Sequence, residues 1–344
     1  MSKKHTREGI TAAGTWIVDY TKVVSRFPEE GACTSVLSET LGSGGSPYNL
    51  LVNLCRLGFA APLRAVGWIG QDIDGSSIVK DCRAHGIDSS RLHVSREIPT
   101  SFSDVMTNRD TGIRTSFNHA GANALLKPDD FDLQNDNSRI LYLGTLFFLA
   151  ELDKSDPKHG TRAAAVLADA RKQGMLTCID IERTDMATDA FLQGAKAALK
   201  QTDLLILNVE VAERLSELRL RYPAGVDFFA IQNAAQALQA LTGGECVVIR
   251  FPAGALALAS DGSKHLEGSV NLPKSRVVNA VGAGHAFAAG FLLGYHDGLD
   301  LSACLRNAHA AAAACLSATT SSSGVRTMSA CLELFTKYGR RQVG

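Results

Sequence analysis

No two of the eight cysteines, at 33, 55, 82, 178, 246, 304, 315 and 331, are spaced C-x-x-C, so the paired spacing of a structural zinc site is absent. A chain of 344 residues does not need a disulfide scaffold, and thiols scattered through apolar stretches are expected to be free, buried and kept in a reducing compartment. Charge of one sign is missing too. Lys and Arg total 35 and Asp and Glu total 35, which leaves no basic footprint for nucleic acid or for an anionic membrane surface. The longest apolar run, residues 140–150, is too short to cross a bilayer. The N-terminal MSKKHTREGI has no apolar core behind its basic residues, so no secretory signal is expected and the predicted location is cytoplasmic. Proline is scarce at 9 against 31 glycines, a balance that suits many tight strand-to-helix turns and excludes a disordered chain.

What is present is an alternation of short apolar strands and helices. Strands are expected at 10–19, 63–69, 139–143, 176–181, 204–207 and 246–250. Helices are expected at 74–85, 159–173, 187–200, 209–218 and 234–241. Ser46-Pro47 opens a further helix with Ser46 as N-cap and Gly58 as its stop. The stretches 283–295 and 301–316 are almost wholly small or apolar and belong deep in the domain. This rhythm implies an α/β fold with a mainly parallel sheet covered on both faces. Two segments, 33–41 and 101–117, alternate with period two instead and suggest a small β lid inserted in a single domain over 1–344. An exposed lid sheet offers an edge through which two copies could pair as a homodimer.

Several motifs carry chemistry. The Gly42-Ser43-Gly44-Gly45-Ser46 run before a helix lets backbone approach a ligand closely, or is simply a tight turn ahead of a capped helix. Gly282-Ala283-Gly284-His285 opens another helix, after the strand-like 276–278. Its amides would form an anion hole faced by His285, or the run is a close-packed junction with His285 as a satisfied polar residue. Asp19 at a strand end and Asn49 in the following helix suit a site beyond the carboxyl ends of a parallel sheet, although a strand-ending Asp is also a common turn former. Asp180-Ile181-Glu182-Arg183 closes another strand and can be read either way. No G-x-G-x-x-G follows the first strand, which counts against a dinucleotide-binding dehydrogenase.

Together these pieces resemble the ribokinase/PfkB carbohydrate kinase family over nearly the whole chain. Gly44-Gly45-Ser46-Pro47-Tyr48-Asn49 with Leu54-Cys55-Arg56-Leu57-Gly58 looks like the family's first signature. Gly67-Trp68-Ile69-Gly70-Gln71-Asp72-Ile73-Asp74-Gly75 is similar to its G-x-x-G-x-D-x-x-G turn, and Gly121-Ala122-Asn123 to the GAN after the lid. Asn279-Ala280-Val281-Gly282-Ala283-Gly284-His285 aligns with the second signature, D-T-x-G-A-G-D. The resemblance implies a ribokinase-like three-layer α/β/α domain with a β lid, a small-molecule sugar or nucleoside beneath that lid, and ATP with Mg²⁺ near the second signature. It further implies substrate binding by Asp19, Gly44, Gly45, Asn49 and Asn123, an anion hole of Gly282, Ala283 and Gly284, and His285 at the position of the base. Asn208, Arg250, Gly254 and His309 fall where nucleotide contacts are expected. No resident metal site is assigned.

The departures lie on the nucleotide side. His285 stands where the family has its base Asp, and Val211 where the N-x-x-E motif of Asn208 has its Glu. Arg250 and Pro252 stand in place of the Thr and first Gly of the nucleotide loop. A neutral imidazole can accept a proton near pH 7, whereas an imidazolium cannot, and loss of a general base costs about 10²–10⁴ in rate. The expected function is therefore a carbohydrate-kinase-like protein that binds a sugar or nucleoside with phosphoryl transfer impaired or lost. The alternative is a slow but genuine kinase working through His285 and the anion hole, since phosphoryl transfer depends largely on alignment and charge stabilisation.

Overall fold

The computed structural model describes residues 7–182, 189–223, 225–278, 280–318 and 320–343. In chain order the first half holds β1 (Ile10–Gly14), β2 (Ile17–Val24), β3 (Val36–Gly44), α1 (Ser46–Leu57), β4 (Leu63–Gly70), α2 (Ile73–Ala84), β5 (Asp88–Ser95), β6 (Ser101–Asn108), β7 (Arg114–His119) and β8 (Ile140–Gly144). A two-residue hairpin, β9 (Ser155–Asp156) and β10 (Gly160–Thr161), leads into α3 (Arg162–Lys172), β11 (Leu176–Ile179), α4 (Asp189–Leu199), β12 (Leu204–Asn208) and α5 (Val209–Ser216). A second small hairpin, β13 (Arg221–Tyr222) and β14 (Gly225–Val226), precedes α6 (Phe228–Thr242), β15 (Cys246–Phe251), β16 (Gly254–Ala259) and β17 (Lys264–Gly268). The chain closes with α7 (Ala283–His296), α8 (Leu301–Leu316) and α9 (Met328–Tyr338).

Nine strands form one sheet in the order β17-β16-β15-β12-β11-β8-β1-β4-β5. Its strands from β15 to β5 run parallel, and β16 and β17 fold back antiparallel at one edge. Successive residues of each parallel strand point to opposite faces. Cys178, Leu204, Ile206 and Val248 join one core with α1, α7 and α8, whereas Ile179, Leu205, Leu207 and Ile249 join the other with α3, α5 and α6. Two cores with a sheet between them make the three-layer α/β/α architecture expected of the sequence. The chain runs from β1 outward to β4 and β5 on one side and to β8, β11, β12 and β15 on the other. The switch point thus lies between β1 and β8, where Gly14 pairs with Gly144 and an open α/β sheet offers its ligand crevice.

The lid is a separate four-stranded sheet, β3-β2-β6-β7. The stretch 10–19, expected to be one strand, is divided by Thr15 and Trp16: β1 stays in the main sheet and β2 enters the lid. The break is held by long-range bonds. Buried Trp16 donates its backbone N–H to Asn123 Oδ1 at 2.9 Å and its ring N–H to the Val66 carbonyl. Asp19 accordingly sits in the middle of a lid strand, opposite Gly42 and Ser103, rather than at a strand end.

Other expectations change in detail. Gly45, with φ 94, is the N-cap of α1, and Ser46 is its first helical residue; the Ser46 hydroxyl is turned to other partners. Residues 274–276 form a 3-10 turn and not a strand. The supposed nucleotide loop after residue 250 is a tight turn at Pro252-Ala253 joining β15 to β16, with Gly254 paired to Phe251. Cys33 is exposed and Cys55 half-buried, while the other six thiols are free and buried as expected. Asn279, the residues 183–186 and the expected helical start at 187–188 lie outside the described residues.

Candidate active site

The carboxyl ends of β1, β8, β11, β12 and β15 and the N-termini of α1 and α7 surround one cavity of about 1710 Å³, roofed by the lid. Its lid end is lined by Asp19, Gly45, Asn49, Ser103, Arg114, Asn118 and Asn123. Gly45 admits no side chain, because a Cβ there would stand 2.0 Å from the Thr15 carbonyl oxygen. Gly44 lies beside it, and a Cβ on it would come within 2.3 Å of Asp19 Oδ2. Bare backbone at 44 is what lets the Asp19 carboxylate lie flat against the mouth of α1. Burial first, and then the negative charge of Glu182, push the Asp19 pKa up to about 6, partly opposed by His285 and by Arg114 from β7.

Asn49 and Asn123 line the same wall but are already engaged. Asn49 Oδ1 accepts from Ser321 Oγ at 2.7 Å. Asn123 accepts from the Trp16 N–H and donates to the Trp16 carbonyl at 3.1 Å, so it also clamps the β1–β2 junction.

At the opposite wall, α7 begins at Gly282, φ 81, packed against Ser321. The Ala286 N–H already bonds Gly282 O, whereas the Gly284 and His285 N–H groups make no backbone hydrogen bond among the described residues. That leaves them for an anion at a positive helix end. Gly282, Ala283, Gly284 and His285 all line the cavity. The Arg250 guanidinium, from the end of β15, reaches the same spot: its Nη2 is 2.5 Å from where a Cβ on Gly284 would be. Burial pulls the Arg250 pKa down and the charges of Asp180 and Glu182 counter this.

His285 is 7% exposed and lies between two carboxylates. Its Nε2 is 3.0 Å from Glu182 Oε1 and 3.5 Å from Asp180 Oδ2. Burial alone would push the imidazole pKa down, but the Glu182 and Asp180 charges outweigh it and raise it to about 10. Burial favours the neutral acid of Asp180 as well, yet His285 and the Ser46 hydroxyl hold its carboxyl below the ordinary range. Ser46 Oγ donates to Asp180 Oδ2 at 2.7 Å and shares a 2.7 Å contact with the buried Tyr142 hydroxyl. The base position thus carries a buried, ion-paired imidazolium at neutral pH. The Glu182 partnership was not foreseen; its only trace in the sequence is a second acid two residues after Asp180 at a strand end.

The nucleotide-side residues are placed less coherently. Asn208 caps α5, its Oδ1 accepting the Val211 N–H at 2.8 Å. Val211 itself is 1% exposed within the core, whereas Glu210 beside it lines the cavity, pairs with Arg221 at 3.1 Å and adds its charge to those around Arg250. The motif's carboxylate is therefore missing at 211 itself, and the acid on this wall of the cavity, Glu210, is engaged with Arg221. Gly254 is buried against the Glu267 carbonyl and Val343 and is not part of the cavity lining. His309 lines the cavity from α8, edge-on to Phe287, and burial lowers its pKa to about 4, so it is neutral. The cavity lining also includes Val270, Leu272, Val278 and Leu316, which make an apolar end.

Residues 8–328 match the model of the pfkB family carbohydrate kinases. The chain belongs to this family. It is 24% identical over 299 residues to a nucleoside kinase of Methanocaldococcus jannaschii, covering 86% of each chain. It is 25% identical over 312 residues to the ribokinase of Arabidopsis thaliana, covering 89% of this chain and 76% of the relative. Among solved structures, the Arabidopsis ribokinase complexed with ribose and ATP superimposes with a TM-score of 0.78 at 21% identity, covering 95% of this chain and 98% of that one. The M. jannaschii nucleoside kinase gives 0.75 at 21% identity, covering 96% and 99%. These likenesses fix the ribokinase fold. No described helix is long and apolar enough to cross a membrane.

Proposed function

We propose that this pfkB-family protein binds a sugar or nucleoside beneath its lid, and that phosphoryl transfer to that ligand is impaired. The observation that carries the reading is His285: at the base position its Nε2 is 3.0 Å from Glu182, and the paired imidazolium has no lone pair with which to take a proton from a hydroxyl. The lid end, by contrast, keeps a carboxylate, Asp19, and the glycine-lined mouth of α1, a set suited to vicinal hydroxyls. No chemical step is derived through ATP or Mg²⁺, because Val211 offers no carboxylate to the ion.

A second reading, a slow kinase, draws support from the cavity running from Asp19 to Leu316 and from the Gly284 and His285 amides, which have no backbone partner among the described residues. Calorimetric titration separates the two. On the first reading a member of a pentose, hexose and nucleoside panel binds, Asp19→Ala abolishes that binding, and Mg·ATP gives no heat with or without the bound ligand. On the second, Mg·ATP binds, sugar-dependent ADP forms, and His285→Ala stops it. We also infer a homodimer through the lid, supported by exposed Leu37, Leu41, Ile113 and Phe117, which sedimentation equilibrium would test.

A further inference from the structure

We propose that Asp180, Glu182 and His285 together form a binding site for one divalent transition-metal ion, of the Mn²⁺ or Zn²⁺ class. One ligand atom from each, a carboxylate oxygen from the two acids and a ring nitrogen from His285, lie within 4.8 Å of one another. Ligands about 2.1 Å from a shared ion stand roughly 3.0–3.5 Å apart, and the two nitrogen-to-oxygen separations here are 3.0 and 3.5 Å.

The state of the imidazole is the second observation. His285 is more than nine-tenths buried, and neither ring nitrogen makes a well-aligned hydrogen bond with any partner. Nε2 nonetheless lies 3.0 Å from Glu182 Oε1 and 3.5 Å from Asp180 Oδ2, so the ring nitrogen and both carboxylates share one small space. The surrounding groups suit an ion too. Ser46 Oγ, fixed by Tyr142, donates to Asp180 Oδ2, and Thr145 Oγ1 approaches the same oxygen at 3.4 Å. Such outer partners orient a coordinating carboxylate. The Glu182 side chain is half exposed on the cavity, so an ion can enter and keep open positions for water or a ligand oxygen.

Chemistry selects the ion. Two carboxylates neutralise a divalent charge, while an imidazole nitrogen disfavours Mg²⁺ and Ca²⁺, which take oxygen ligands, relative to first-row transition metals. The Arg250 guanidinium beyond Gly284 tempers the affinity. Loading the site expels the ring proton from Nε2 to solvent, so His285 is withheld from base catalysis by the ion as it is by the proton.

The test uses full-length, tag-free protein stripped with a chelator and no sugar or nucleotide, so its outcome is independent of the function proposed above. Manganese chloride alone is titrated while free Mn²⁺ is followed by electron paramagnetic resonance. Magnesium chloride and zinc chloride are titrated by calorimetry, the zinc arm in a Cys33→Ser background because Cys33 is an exposed thiol. The expected result is one Mn²⁺ per chain, Mg²⁺ at least tenfold weaker, and at least a tenfold loss of Mn²⁺ affinity in both Glu182→Gln and His285→Ala. If His285→Ala fails to fold, Glu182→Gln decides alone, since that side chain is half exposed and its loss leaves the core intact. Absence of stoichiometric Mn²⁺ binding below millimolar concentration, or affinity unchanged in Glu182→Gln, overturns the proposal.

Discussion

Ligand affinity is expected to fall about tenfold between pH 7 and pH 5, with Asp19 as the cause. Its carboxylate can accept hydrogen bonds from two hydroxyls only when ionised. With its pKa raised to about 6 by burial and by Glu182, Asp19 is about 90% ionised at pH 7 and about 10% at pH 5. An unshifted carboxyl at 3.8 would remain more than about 90% ionised at both. The His285 pKa of about 10 and the His309 pKa of about 4 lie outside this window, but burial also raises Asp153, which lines the same cavity, to about 6, so the Asp19→Asn variant is what assigns the profile to Asp19. The assay is calorimetric titration at half-unit pH steps with whichever sugar or nucleoside the panel yields. Asp19→Asn should bind weakly and without pH dependence. The same shift acts on stability with the opposite sense. Folded Asp19 holds its proton more tightly than the unfolded chain does, so its contribution to stability declines as pH rises from about 4 to about 6. Asp19→Asn should therefore stabilise the ligand-free protein at pH 7 by about 1–2 kcal/mol, part of the full linkage being screened at the cavity wall. Affinities at pH 5 and pH 7 agreeing within twofold would refute the reasoning.

Gly44→Ala should cost at least tenfold in ligand affinity with little change in melting temperature, because the new Cβ meets only the end of the Asp19 side chain, at 2.3 Å. Equal affinity in calorimetry would mean that Asp19 does not need its place against the α1 mouth. Asn123→Ala should lower stability by about 2–3 kcal/mol in urea unfolding, since both buried backbone groups of Trp16 lose their partner. A loss of affinity without a loss of stability would instead make Asn123 a direct ligand contact.

The fold was legible wherever local signals and packing agree. Pro47 and Gly58 bracket α1, and its residues 46–57 are the helix observed. The apolar runs at 204–207 and 246–250 became neighbouring parallel strands buried on both faces. Legibility failed where a distant contact decides. Residues 10–19 read as one strand because nothing local marks the break, which Val66 and Asn123 impose from 50 and 107 residues away. The antiparallel edge was missed because Gly254–Ala259, GALALA, lacks any alternation and so carries no period-two signal. In the site, motif residues brought from Asp19, Gly45 and His285 to one cavity were nameable from sequence. The charge balance around His285 was not, since Glu182 and Arg250 reach it only through the order of β11, β12 and β15 in the sheet.

That charge balance also limits how the family chemistry could be recovered. Asp180, Glu182 and Asp19 already bring three acids to this end of the cavity, and His285 with Arg250 offsets them. His285→Asp alone would set a fourth carboxylate within a few ångströms of Glu182 and Asp180, with no cation between. Two carboxylates at such range cannot both ionise, and one pKa rises strongly. The new Asp would then be protonated near neutral pH and as poor a base as the imidazolium it replaced. Removing one charge is the remedy: in Glu182→Gln/His285→Asp the carboxylate at 285 keeps Asp180 and Asp19 as like-charged neighbours but loses Glu182, and has Arg250 nearby. Provided that the titration shows Mg·ATP binding, steady-state ADP release with a bound sugar or nucleoside should accordingly be higher in the double variant than in either His285→Asp or Glu182→Gln. Turnover in His285→Asp alone would show that Glu182 swings clear of the site, while its absence from all three would place the barrier at Val211 and Pro252 rather than at the base.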